Sequence, residues 1–474
     1  MAMGRSKPRQ QAMWVATSEI ATSAAHPFYR RLNELLEKAR FDYYAEQLCR
    51  RFYAAKRGRP SLAPGMYFRL LMIGYFEGIE SERGIAWRVS DSLTLRDFLG
   101  LPLTEATPDH STISRNRRLL PEETHRALFR WVLKRLAEQG LLKGKTIGID
   151  ATTLEANAAL KSIVRRDNGE SYQDYLRGLA QAEGIEQPTA AELARFDRKR
   201  KKRRTSNEDW KNPHDEEARI TKMKDGQTHF AYKAEHAVDM ETGAVTAVVI
   251  AAGDAGDTTT IHQTLSEAGQ NLAELTGMRA GAEAVGPVKE VYRDGIQEVV
   301  TDKGYHSDAV LQELADSGAR AYLSEPDRGV RCWQDKAAEQ ARVYANRRRV
   351  RGEYGKALLR KRGEYLERGF AHCYETGGMR RLWLRGKTNI SKRALLQAAA
   401  FNLSLIMRVM VGAGTPRGFS AAFLAVSDTF CRLMRCLSGS EDQSNANSAR
   451  QLAADPPRSF CHHRGAKRNF TTGC

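Results

Sequence analysis

Apolar residues recur at helical spacing from Phe28 to Tyr53 and again from Met66 to Phe76, with Pro60 and Pro64 at the junction. That period predicts helices. Two shorter helical segments follow, Glu82 to Ser90 and Ser111 to Leu120, separated by the turn-rich stretch LGLPLTEATPDH. The second opens on Asp109-His110-Ser111-Thr112, residues suited to capping a helix N-terminus. From Lys143 the period shifts toward two. Lys145 to Asp150 reads as a short strand ending on an acid, and Glu298 to Asp302 repeats that form. His229 to Asp239 and Ala244 to Ala251 predict a hairpin across Met240-Glu241-Thr242-Gly243, and Arg320 to Ser324 a further strand stopped by Pro326. Helices are predicted over Thr258–Leu275, Asp308–Ser317 and Arg347–Cys373, the last ended by Gly377-Gly378, with another running to about Val411. Strands interleaved with helices make this an α/β chain behind a helical N-terminal part.

Three regions are expected: a helical domain over 1–140, an α/β domain over 141–415 with an insertion at about 157–228, and a tail over 416–474. The insertion lacks strand periodicity and carries seven consecutive cations, Arg198, Lys199, Arg200, Lys201, Lys202, Arg203 and Arg204. Such a block cannot fold on itself, so it is read as a disordered linker or an arm on a polyanion. The tail contains the low-complexity run SGSEDQSNANSA. A formal net charge of +18 makes nucleic acid the leading partner class.

A membrane is not expected. The N-terminal stretch lacks a signal peptide's apolar run, and the apolar segment Ala394–Gly414 is interrupted by Gln397, Asn402 and Arg408, as in a core helix. Seven dispersed cysteines without a CxxC pair predict reduced thiols in a cytosol. The N-terminal helices end in a capped basic segment that suits a helix-turn-helix variant, with Ser111, Thr112, Arg115, Arg117 and Arg118 toward DNA.

Asp150 and Asp302 each stand where a strand runs out. On parallel neighbouring strands both carboxylates emerge at one carboxyl edge, where open α/β sheets place their sites. Two such acids repel unless a cation lies between them. Mg²⁺ takes oxygen ligands from one or two carboxylates plus substrate phosphates, and paired ions suit in-line phosphodiester displacement. A third acid must hold the second ion. Glu353, Glu364, Glu367 and Glu375 are available. Leu366, Phe370 and Cys373 form an apolar stripe, with Glu367 at its margin and Glu364 farther round, which favours Glu367. Lys361, Arg362 and Arg368 are candidate phosphate contacts.

The stretches GKTIGIDATTLEAN (144–157), VTDKGYHS (300–307) and LERGF (366–370) resemble the DDE transposases of bacterial insertion sequences. So do MYFRLLMIGYFEGIESERGIAWR and PDHSTISRNRR, and the likeness covers roughly 60–415. The resemblance implies an RNase H-like mixed sheet flanked by helices, with Asp150, Asp302 and Glu367 binding two Mg²⁺ (or Mn²⁺). It implies an endonuclease that cuts at terminal inverted repeats and transfers strands into target DNA, working as a homodimer or larger synaptic complex at the bacterial nucleoid. Some relatives carry a lysine seven residues after the third acid; here that position is Tyr374. A metal-dependent nuclease without strand transfer and a non-catalytic DNA-binding protein from a decayed element are the alternatives.

Overall fold

The computed structural model describes residues 26–54, 61–200, 206–223, 226–277, 291, 294–327, 329 and 331–419. Its N-terminal part is helical: α1 (Pro27–Lys38), α2 (Phe41–Cys49), α3 (Pro64–Glu77), α4 (Glu82–Ser90), α5 (Leu93–Phe98), α6 (His110–Leu119) and α7 (Glu122–Glu138). Proline opens α1 and α3, where the missing N–H has no intrahelical acceptor to lose. Side chains of Ser81, Ser92 and Asp109 cap α4, α5 and α6. Helix α3 is buried from Tyr67 to Phe76, Arg69 included. That guanidinium meets Asp42 at 2.8 Å and the Phe98 carbonyl at 3.0 Å, so its charge is compensated inside the bundle.

The sheet comprises β1 (Thr146–Glu155), β4 (Arg219–Lys222), β5 (Thr228–Asp239), β6 (Val245–Ala252), β7 (Glu298–Thr301) and β8 (Arg320–Leu323). Across it the order is β6–β5–β1–β7–β8, with β4 sharing the outer edge of β5. Strand β5 is antiparallel to β1, while β7 is parallel to β1 and β8 parallel to β7. Helices α10 (Asp257–Gly277), α11 (Asp308–Asp316), α12 (Ala337–Arg351), α13 (Glu353–Phe370) and α14 (Lys387–Val411) flank it. Helix α14 packs on α3, α7 and β6, so the N-terminal helices and the sheet share one apolar core. A helix long and apolar enough to cross a membrane is present at Lys387–Phe419, and 72% of its apolar window is buried inside the protein.

Three expectations change. The insertion is not disordered where it is described. It contains β2 (Val164–Arg165), α8 (Tyr172–Ala182), α9 (Ala190–Lys199) and β3 (Trp210–Lys211), with β2 and β3 paired. Leu176, Ala180 and Leu193 form a small core between α8 and α9. Thr189 and Glu192 close a capping box at the start of α9, and Trp210 packs edge-on against Tyr172 and Tyr175 at 5.3 Å. A small apolar face and strong capping suffice here; the cations of 198–204 masked both signals. Lys201, Lys202, Arg203 and Arg204 lie outside the described residues. Second, β1 runs five residues beyond Asp150, because pairing with β5 continues to Glu155 although pairing with β7 ends at Gly148. Third, the helix expected over 347–373 is two helices broken at Gly352, then one π-helical turn at Ala371–Thr376. The expected tail, after 419, lies outside the described residues.

Candidate active site

Strands β1 and β7 run in parallel with Gly148 beside Val300. Carried two residues past its last pair, that register leads Asp150 and Asp302 to the same edge of the sheet, and the charge of Asp302 is felt at Asp150. Asp150 thus sits just past the last β1–β7 pair, at the carboxyl edge of the parallel half of the sheet. Asp302 leaves its strand and accepts the Gly304 N–H at 2.9 Å, which fixes the tight turn Lys303–Tyr305. Burial pushes the Asp150 carboxyl above its usual range, and the charge of Asp302 adds to that rise. Arg362 opposes it, donating from Nη1 to Asp150 Oδ2 at 2.8 Å, as does the Ala151 N–H on Asp150 Oδ1.

Helix α13 brings Arg362 there because Gly355, Leu358, Leu366 and Phe370 form its buried face against β1 and β7. An added Cβ at Gly148 would lie 3.2 Å from Leu366 Cδ1, so glycine lets this helix close on the strand. Glu367 follows Leu366 but is exposed. It lies about 140° round the helix from Arg362. Glu364 is exposed as well, 3.4 Å from Arg368. Asp150 and Asp302 thus leave the parallel strands at one edge of the sheet, while Glu367 lies exposed on the adjoining turn of α13. Among the described residues no three His, Cys, Asp or Glu side chains are grouped to hold a metal ion.

On the other face of the sheet, next to the Asp302 turn, is a buried polar cluster. Lys233 Nζ donates to Asp257 Oδ1 at 2.6 Å and Thr260 Oγ1 at 2.8 Å. Glu235, fully buried, accepts from Thr260 Oγ1 at 2.6 Å, from Tyr305 Oη at 2.8 Å and from Thr264. Burial and the negative charge of Glu235 drive the Tyr305 phenol far above its usual range, so it stays a donor.

The Transposase DDE domain family matches residues 149–403, more than half of the chain, and spans all three acids. The chain belongs to the DDE transposase family. The Transposase domain (DUF772) family matches residues 18–119. No curated protein and no solved structure matches the chain.

The basic residues of this transposase divide by exposure. In α6, Arg115 and Arg118 are exposed, Arg115 donating to Ser111 Oγ at 3.0 Å, and Thr112 is half-buried. Arg117 departs from the expectation of a DNA contact. It is buried, donating to Glu82 Oε1 and Asn389 Oδ1 at 2.7 Å each, and so ties α6 to α4 and α14. Arg198 and Lys199 are exposed at the end of α9, while Arg200 turns toward Asp197 at 3.3 Å. Lys361 and Arg368 both stack on Tyr365, each 5.1 Å from its ring centre. Sequence reasoning missed Lys233, Glu235 and Asp257. The available signal was KAEHAV within a strand: Lys233 and Glu235 share one face, and charge on a strand otherwise apolar enough to be buried demands partners.

Proposed function

We propose that this transposase cleaves DNA at the ends of its element and transfers the freed ends into target DNA, with Asp150, Asp302 and Glu367 as its metal-holding acids. The observation that supports the reading is the parallel register of β1 and β7, whose carboxyl ends carry Asp150 and Asp302 toward one sheet edge. A half-buried, like-charged carboxylate pair is stable only with a positive partner. Arg362 supplies one charge to that pair. The donor set fits Mg²⁺ or Mn²⁺, since both acids offer hard carboxylate oxygens. When bound, such ions would activate the attacking oxygen and stabilise the leaving one.

The chain's own residues do the remainder. Asp302 keeps one carboxylate oxygen on the Gly304 N–H, which would leave the other to take a metal ion. Arg362 lies within reach of the same edge and would move its guanidinium from Asp150 to a DNA phosphate oxygen. Glu367 stands one residue past Leu366, which covers β1 two positions from Asp150. A π-helical turn follows directly after α13, and a rotation of this end of the helix on binding DNA would carry Glu367 inward. In the first step water displaces the 3′ oxygen at a phosphodiester, leaving a 3′-hydroxyl and a 5′-phosphate. In the second, that hydroxyl attacks a target phosphodiester and displaces its 3′ oxygen. The order of the sheet, an antiparallel hairpin followed by two parallel strands, supports the RNase H-like assignment. Exposed cations of α6, α9 and α13 would hold the phosphate backbone. Joining two ends calls for at least two copies on the DNA.

The test is a labelled duplex carrying an element end, incubated with Mg²⁺ and a target plasmid. Nicked product with a 3′-hydroxyl and plasmid-joined label are both expected, and Asp302→Asn should abolish both. Cutting by Asp302→Asn at the wild-type rate would remove the mechanism. Cutting without joined label would identify a nuclease instead.

A further inference from the structure

Burying Lys233 and Glu235 side by side carries a desolvation cost that apolar residues of the same size would avoid. Lys233 is 4% exposed and Glu235 0%. Their contacts converge on a single feature. Tyr305, the end of the turn that begins at Asp302, is anchored from below by Glu235 at 2.8 Å. The middle of that turn packs closely against Asp257, the first residue of α10. Lys233 holds Asp257 Oδ1 at 2.6 Å, and an added Cβ at Gly304 would overlap Asp257 Oδ2 while lying 3.2 Å from Asp302 Oδ1. Asp257 thus abuts the Cα of the residue whose N–H holds the Asp302 carboxylate at 2.9 Å. A continuous line of contacts leads from Lys233 through Asp257 and Gly304 to Asp302.

We propose that Asp257 is a positioning residue for Asp302: gripped by Lys233, it sets the Gly304 turn and thereby aims the Asp302 carboxylate at the metal. The inference rests on the metal-holding reading above. It differs from a purely structural role in what it predicts. A brace for the fold alters stability only, whereas a brace for one ligand alters metal affinity at temperatures where the fold is intact. Losing the outer partner of a metal ligand lowers metal affinity about 10–100-fold.

The experiment titrates the full chain with Mn²⁺ by calorimetry, well below the melting temperature, in wild type, Asp257→Asn and Asp302→Asn. Asp257→Asn should bind Mn²⁺ about 10–100-fold more weakly, require correspondingly more Mg²⁺ for half-maximal cutting, and bind element-end DNA unchanged without metal. Wild-type Mn²⁺ affinity in Asp257→Asn, with Asp302→Asn defective, overturns the inference and leaves the reading beneath it standing. Wild-type affinity in Asp302→Asn overturns both. Should Asp257→Asn not fold, Gly304→Ala reaches the same contact from the loop side, and undiminished Mn²⁺ affinity there is equally fatal.

Discussion

Replacing Arg362 by methionine removes the guanidinium from Asp150 while keeping most of the side chain's apolar contact. The two groups lie 2.8 Å apart, with side chains 15% and 22% exposed, between a surface pair and a fully buried one. Exposed pairs contribute about 0–1 kcal/mol, whereas breaking a buried pair costs about 3–5 kcal/mol. An intermediate loss of about 1–3 kcal/mol is expected for the metal-free protein at neutral pH. The loss should depend on pH in a defined direction. Burial already raises the folded-state pKa of Asp150, and Arg362 is the largest influence holding it down. Without Arg362 the carboxyl moves higher still. A group whose pKa is raised by folding gives stability below its unfolded pKa and loses it as pH rises through the folded value. The deficit of Arg362→Met should therefore open as pH rises through the raised Asp150 pKa and close below the ordinary carboxylate value. Saturating Mg²⁺ should narrow it at neutral pH, because the ion replaces the missing cation. Thermal melts of both proteins across pH 3–8, with and without Mg²⁺, measure this. A deficit that is absent at every pH, or that grows on acidification, would refute the electrostatic account of the site.

Glu367→Gln should abolish cutting and joining, while Glu364→Gln, whose partner is the exposed Arg368, should leave both near wild type; rates on element-end duplexes decide between them. Neutralising Arg198 to Arg204 should weaken binding to all DNA sequences alike and flatten the dependence of log affinity on log salt, measured by fluorescence anisotropy. A changed sequence preference would contradict a phosphate-binding role. Arg117→Met should destabilise the protein by about 2–4 kcal/mol, since it strands Glu82 and Asn389 inside the helical part. In denaturant titrations the exposed Arg118→Ala should cost almost nothing, and it should weaken DNA binding instead.

Much of this fold is legible along the chain because its strands carry strong local signals. Lys145–Asp150, His229–Asp239 and Glu298–Asp302 are short β-branched or alternating runs with clear stops, and they became β1, β5 and β7. The acids at two of those stops were found for the same reason. What stayed hidden is non-local. Nothing near Asp150 indicates that β1 continues to Glu155, because that extension is set by the length of β5. Asp257 begins a helix, where an acid is ordinary; only the approach of Gly304 and Lys233, from elements distant in sequence, gives it a further part. Arg117 resembles its neighbours Arg115 and Arg118 in sequence, yet one face of α6 meets Glu82 and Asn389 and the other meets solvent. The helices of the insertion were obscured by composition, since a small apolar face beside a long basic run reads as solvated chain.

The claim beneath all of this is that one metal position, holding a pair of ions, draws on residues 150, 302 and 367. Replacing Mg²⁺ by Fe²⁺ in the complex with element-end DNA, then generating hydroxyl radicals with ascorbate and peroxide, maps the backbone around that position directly. Cleavage near each of the three residues, suppressed by excess Mg²⁺, is the predicted pattern. Cleavage at the first two without the third would remove Glu367 from the site, and no Mg²⁺-sensitive cleavage at any of them would contradict the account as a whole.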